Sequence, residues 1–287
     1  MKRLAIVVAL LCLTFATEAK PKAEIKSQWR GARVAYLGDS ITDKRQVEKG
    51  QNETYWSYLE EILGIESFVY GISGHKWSQI PGQTDKLIKE HGQEVDAIMI
   101  FIGTNDYNAS VPLGEWFSEK VVEVEVTGPK GSKSSVVAQR KRRTILMDNK
   151  TVRGRINIAM SKLKEAYPTK QIILLTPIHR GDAFLSDRNI QPNELYANGA
   201  GEYIDAYVDV VKEAGSVWAV PVIDLNSICG LYPLSDASKP YWRRPSLERS
   251  KKTGGKRIDR LHPNSAGHLR MAQALAYQLL GYPAKFD

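Results

Sequence analysis

Six consecutive apolar residues at positions 97–102, Ala-Ile-Met-Ile-Phe-Ile, run into Gly103-Thr104-Asn105-Asp106. A strand with one wet face alternates apolar and polar side chains, whereas an unbroken run suits a strand covered on both faces. Shorter runs of the same kind lie at residues 33–37, 67–70 and 172–176, and within 217–225. Between them stand stretches with helical spacing: residues 55–63 ending at Gly64, 80–90, 152–167 ended by Pro168, 194–214 ending at Gly215, and 264–280 with Asn264 or Ser265 as N-cap. Alternation of strand and helix predicts a parallel sheet with helices on both faces, a three-layer α/β/α sandwich. In such sheets ligands collect at the carboxyl ends of the strands.

Residues 113–147 break the alternation. Residues 121–126 alternate, a Gly/Pro/Ser/Lys-rich turn follows, and 135–146 returns. This predicts a β-hairpin insertion after the third strand, either a wall of the substrate cleft or a surface elaboration.

The chain of 287 residues suits one large domain. Its first 19 residues are expected to be a signal peptide: Lys2 and Arg3 form a basic start, positions 4–15 are apolar, and Thr17-Glu18-Ala19 offers a cleavage site. The apolar run falls short of the roughly 20 residues that span a bilayer. An uncleaved anchor is the alternative. Export to the periplasm or the medium follows as an expectation, with residues 20–287 as the mature domain. That mature chain would keep Cys229 alone, and so no internal disulfide. It would carry 38 basic and 31 acidic residues, a net of +7. The basic excess is clustered at Arg140-Lys141-Arg142-Arg143 with Lys150, Arg153 and Arg155, and again from Arg243 to Arg260. Export argues against nucleic acid as the partner. A solvated face accounts for most of these residues, and attraction of an anionic glycan is the other reading.

Four blocks carry chemistry. Gly38-Asp39-Ser40 follows the first strand, Gly74 the second, Gly103-Thr104-Asn105-Asp106 the third, and Asp259-Arg260-Leu261-His262 precedes the last helix. A serine hydroxyl needs a base to become a nucleophile. His262 is the candidate base, and Asp259, three residues earlier, can orient it. The backbone N–H groups of Ser40 and Gly74 and the side-chain amide of Asn105 are candidate oxyanion donors. Gly71 is close by and competes with Gly74 for that assignment. Asp39, Asp43 and Asp106, with Thr42, are expected to support these loops. His75, His91, His179 and His268 show no metal-ligand spacing, and no Walker or dinucleotide-binding glycine pattern is present, so neither metal nor cofactor is expected.

With these blocks the chain resembles the SGNH (GDSL-type) hydrolase superfamily. The blocks that carry the likeness are Gly38-Asp39-Ser40-Ile41, Tyr70-Gly71-Ile72-Ser73-Gly74, Gly103-Thr104-Asn105-Asp106 and Asp259-Arg260-Leu261-His262-Pro263. Ile41 replaces the leucine of the family's name. The resemblance implies a five-stranded, flavodoxin-like parallel sheet and ester hydrolysis through an acyl-enzyme. Exported members often remove acetyl groups from polysaccharides, so a short acyl ester of a carbohydrate is the expected substrate. The hairpin and the basic loop at 239–256 lengthen the chain beyond compact members and bear on substrate identity. A lipid-directed lysophospholipase or thioesterase of the same fold is the nearest alternative. A non-catalytic glycan-binding protein is the alternative of another class. The aromatics Trp77, Tyr107, Trp116 and Phe117 near the expected site suit sugar stacking and acyl chains equally.

Overall fold

The computed structural model describes residues 27–50, 52–127, 135–186, 188–243 and 258–286. The expected signal peptide and most of the second basic cluster lie outside these residues. In chain order the strands are β1 (Arg33–Gly38), β2 (Glu66–Val69), β3 (Ala97–Phe101), β4 (Phe117–Thr127), β5 (Ser135–Ile145), β6 (Gln171–Leu175), β7 (Ala183–Ser186), β8 (Asn189–Gln191) and β9 (Val222–Ile223). The helices are α1 (Arg45–Glu48), α2 (Tyr55–Leu63), α3 (Ile80–His91), α4 (Thr104–Asn108), α5 (Val152–Ala166), α6 (Ile204–Trp218), α7 (Leu225–Ile228) and α8 (Ser265–Leu279).

Five strands form one parallel sheet in the order β2-β1-β3-β6-β9. The unbroken apolar runs have the predicted cause. Val34, Tyr36, Met99, Phe101, Ile173 and Leu175 point to one face, into a core shared with Leu59 and Leu63 of α2 and Met271, Leu275 and Leu279 of α8. Their neighbours Ala35, Leu37, Ile98, Ile100, Ile172 and Leu174 point to the other, against Leu87 of α3, Ile156 and Leu163 of α5 and Val210 and Val211 of α6. Side chains alternate across a strand, so a strand buried twice has no polar position to spare. The chain turns one way from β1 to β2 and the other way to β3, so the crevice at the carboxyl ends of β1 and β3 is the topological switch point.

Local signals set the helix ends. Thr54 and Ser57 form a capping box at the start of α2, and Gly64 closes it at a φ of 71°. Thr151 and Asn264 each accept a backbone N–H at the start of α5 and α8.

The stretch at 194–214 departs from expectation. Helix α6 starts only at Ile204 and runs on to Trp218. Asn198 wins over helical periodicity: its Oδ1 accepts the N–H groups of Ala200 and Glu202, and its amide donates to Tyr107 O and Tyr207 Oη. Gly215 does not end the helix. It lets α6 lie against β9, since a Cβ there would meet Val222 Cγ2 at 2.4 Å.

The hairpin insertion is present as β4 and β5, antiparallel and in register from Phe117↔Ile145 to Thr127↔Ser135. Its root is clamped to the helical flank. Asn157 of α5 donates to Trp116 O and Leu146 O, and the Trp116 indole donates to Glu213 of α6 at 2.7 Å. A second hairpin, β7 with β8, was not evident in the sequence. Among the described residues no helix is long and apolar enough to cross a membrane.

Candidate active site

The predicted nucleophile, base and orienter come together from the two ends of the chain. Ser40 follows β1, and its Oγ lies 2.9 Å from His262 Nε2. His262 Nδ1 is 3.0 Å from both carboxylate oxygens of Asp259. A carboxylate accepts only, so Nδ1 carries the proton and Nε2 is left to accept from the serine hydroxyl. Asp259 Oδ1 also accepts the backbone N–H groups of Leu261 and His262, at 3.2 and 3.0 Å. One carboxylate thus shapes the loop and orients the ring. Burial works against ionisation of Asp259, but the bonds to His262 and the Arg243 charge outweigh it and hold its pKa below the ordinary value.

Ser40 sits on a turn fixed on every side. Asp39 Oδ1 accepts from Ile41 N at 3.0 Å, and Asp39 O accepts from Thr42 N at 3.2 Å. Gln46 Nε2 donates to Ser40 O. Gln83 satisfies both backbone groups of Gly38, accepting from its N–H at 2.9 Å and donating to its carbonyl at 2.8 Å. Only glycine fits at position 38, because a Cβ would meet Thr42 Oγ1 at 2.5 Å and Phe101 O at 2.6 Å. Asp43, though burial raises its pKa, is held below the ordinary value by Arg45 and by the backbone N–H groups of Arg45 and Ser73. Among the described residues Asp39 has no cation against it. Burial, with Asp106 adding repulsion, pushes its carboxyl up to about 7.

The other side of the crevice carries Gly74 and Asn105. Residues 72–75 form a tight turn, closed by His75 N donating to Ile72 O at 3.1 Å, with Gly74 at a φ of 85°. That φ is readily adopted only by glycine. Asn105, at the start of α4, donates one amide hydrogen to His75 O at 3.0 Å. Gly71 has a packing role instead: a Cβ there would meet Thr42 Cβ at 2.6 Å. Among the described residues the N–H groups of Ser40 and Gly74 meet no acceptor, and Asn105 keeps a second amide hydrogen free. Asp106 is fully buried, accepting from Trp77 N at 3.0 Å and from Arg155 Nη1 at 2.8 Å. Burial raises its pKa, and these two donors counter only part of that. His75 Nδ1 lies 2.9 Å from the Gln83 amide, a donor, so the ring is held with its proton on Nε2.

Sequence reasoning missed Gln46, Gln83, Arg155 and Arg243. Arg155 was grouped with a solvated basic cluster, yet its side chain is only 14 % exposed. Arg243 donates its backbone N–H to His262 O at 3.1 Å, and its guanidinium donates to Gln46 Oε1. A cleft of about 200 Å³ opens beside Ser40 and His262, between Gln46, Lys49, Ser73 and Arg243. The hairpin of β4 and β5 contributes none of its described residues to that lining.

This arrangement has the parts for acyl transfer: a hydroxyl on a base, a base on a carboxylate, and unspent N–H donors nearby. Comparison with other proteins agrees at the level of family. A protein of Lactobacillus plantarum superposes with a TM-score of 0.59 at 22 % identity, covering 88 % of this chain and 98 % of that one. One from Chitinophaga pinensis described as a possible lipase gives 0.60 at 20 % identity, over 86 % and 97 %. At such identity the likeness is one of fold. No curated protein matches the sequence significantly. The family model for GDSL-like lipases and acylhydrolases matches residues 36–270, which takes in all four blocks. The chain therefore belongs to the GDSL-like lipase/acylhydrolase family, within the SGNH hydrolases, and is an ester-hydrolysing enzyme by family.

Proposed function

We propose that this protein is an exported serine esterase that removes short acyl groups, acetyl above all, from carbohydrate. The observation that carries the proposal is the continuous Ser40–His262–Asp259 hydrogen-bond chain, opening onto a small polar cleft. Ser40 Oγ attacks the ester carbonyl carbon while its proton passes to His262 Nε2. The oxyanion is taken up by the N–H groups of Ser40 and Gly74 and the free amide hydrogen of Asn105. Collapse of the tetrahedral intermediate breaks the carbon–oxygen bond, and the leaving alcohol takes the proton from His262. Water then repeats the sequence on the acyl-enzyme and releases the acid. Asp259 stays ionised throughout and steadies the imidazolium.

The size and chemistry of the cleft favour a short acyl group. Pockets for larger ligands usually span about 300–1,000 Å³; this one holds about 200 Å³ and is lined by residues with polar or charged ends. A lysophospholipase or long-chain thioesterase wants an apolar groove leading from the serine, and the described lining offers none. A pure glycan-binding protein has no use for a serine held on an imidazole.

Hydrolysis of p-nitrophenyl esters from acetate to long chains tests the reading. We expect activity concentrated at acetate and lowered about 10⁶-fold in Ser40→Ala, with the melting temperature nearly unchanged. Activity that climbs with chain length would move the assignment to lipid. Turnover that survives in Ser40→Ala would remove the nucleophile.

A further inference from the structure

The charges lining the cleft do not balance. Of the carboxylates at its edge, Asp43 is engaged by Arg45 and by Ser73 N, and Asp259 by His262. That leaves two cations, Lys49 and Arg243, with no carboxylate within ion-pair distance among the described residues. Lys49 is exposed and solvated, which is ordinary. Arg243 is not. Its Nε is buried with no hydrogen-bond partner, and the one side-chain bond of its guanidinium among the described residues goes to a neutral amide, Gln46 Oε1. Desolvation lowers its pKa; Asp259 and Asp43 act on it only through the field and partly oppose that. A buried charge is costly unless paired. By contrast, Arg155 on the opposite wall meets Asp106 at 2.8 Å.

Its position ties this cation to the reacting groups. The Arg243 backbone is bonded to His262 O, and Gln46 spans from the guanidinium to Ser40 O. Base, nucleophile and guanidinium therefore line one cleft in fixed relation. A guanidinium presents planar paired donors that match a carboxylate. We infer that Arg243 recognises a carboxylate on the substrate, so that the preferred ester is an acylated acidic sugar of the uronic-acid type. The inference rests on the carbohydrate-esterase reading and narrows it. On binding, the substrate carboxylate supplies the ion pair that Arg243 lacks among the described residues and sets the neighbouring acyl group over Ser40. Lys49 at the rim adds attraction at longer range.

The test compares a monoacetylated galacturonic acid glycoside with its methyl ester, scored by acetate release. The two differ only in whether the carboxylate is masked. Wild type is expected to favour the free acid by about tenfold or more in kcat/KM, the usual scale for a charge-assisted hydrogen bond. In Arg243→Gln the ratio of acid to neutral ester is expected to fall towards one, whatever the absolute rate, and Arg243→Lys to restore part of it. Raised ionic strength should narrow the wild-type preference. A ratio near one in wild type, or a ratio that survives in Arg243→Gln, overturns the inference. Equal losses on both esters would make Arg243 a strut for Gln46, and overturn it too. p-Nitrophenyl acetate separates the two layers. Ser40-dependent turnover of that ester without preference for the acid leaves the esterase standing and removes only the anion site. Silence on it, with both sugars also inert, removes the parent reading.

Discussion

Both walls of the crevice contain a half-buried arginine, and the two are treated in opposite ways. On the Asn105 wall, Arg155 closes on Asp106, Asp106 holds Trp77 N, and Asn105 holds His75 O beside Gly74. The Asp106 carboxylate there has both its donors, and Asn105 keeps one amide hydrogen unspent. On the Gln46 wall, Arg243 meets a neutral amide and, among the described residues, no carboxylate. On the first wall folding finishes the arginine's pairing; on the second we infer that a ligand does. Pairing, more than burial, separates Arg155 from Arg243.

The largest effect should come from breaking the finished wall. Arg155→Met leaves the Asp106 carboxylate buried and without its cation, and should cost about 3–5 kcal/mol of stability, read by urea denaturation. Arg243→Met removes a charge that meets no carboxylate among the described residues and should change stability by less than about 1 kcal/mol. Equal losses in the two variants would abolish the contrast between the walls.

Asp39 tests the floor between them. Its folded pKa, about 7 against an ordinary 3.8, is raised, so the unfolded chain releases the proton first. Between those values the native state binds more protons, and its contribution to stability falls as pH rises. The displacement corresponds to about 4 kcal/mol once both states are ionised. Asp39→Asn keeps an acceptor for Ile41 N and cannot ionise. It should therefore gain stability over wild type as pH is raised from 4 to 8, and show little difference at pH 4, by thermal denaturation. A constant difference across that range would contradict the buried carboxyl.

Asn105→Ala removes one proposed oxyanion donor and the bond to His75 O together, and should lower kcat about 10²–10³-fold. A smaller effect than these belongs to Gly74→Ala. A Cβ there meets nothing within 4 Å, so the cost is the positive φ alone, about 1–2 kcal/mol. A fall in kcat larger than the loss of stability would mark the turn as a donor as well as a connection.

Much of this was legible in the sequence because it is local. Residues 97–102 announced a strand buried on both faces, and Gly64 and Asn264 announced helix ends. Asp259 and His262 lie three residues apart, so their pairing needed no fold to be seen. The two arginines were illegible for the opposite reason. Arg155 reaches its partner across 49 positions and Arg243 across 197, and within their own segments both sit among other basic residues. Gln83 reaches 45 positions back to Gly38 from a helix that advertises only its apolar face. The late start of α6 was missed because the Asn198 turn competes with helical spacing through side-chain bonds that composition does not show.

The central claim is that Ser40 becomes acylated by way of His262. Rapid quenching of the enzyme mixed with p-nitrophenyl acetate, followed by peptide mass spectrometry, tests it most directly. One acetyl group is expected on the peptide containing Ser40, absent in Ser40→Ala and accumulating far more slowly in His262→Ala. Full turnover with no acetyl group on that peptide at any quench time, or acetyl transfer to another residue in step with turnover, would contradict it.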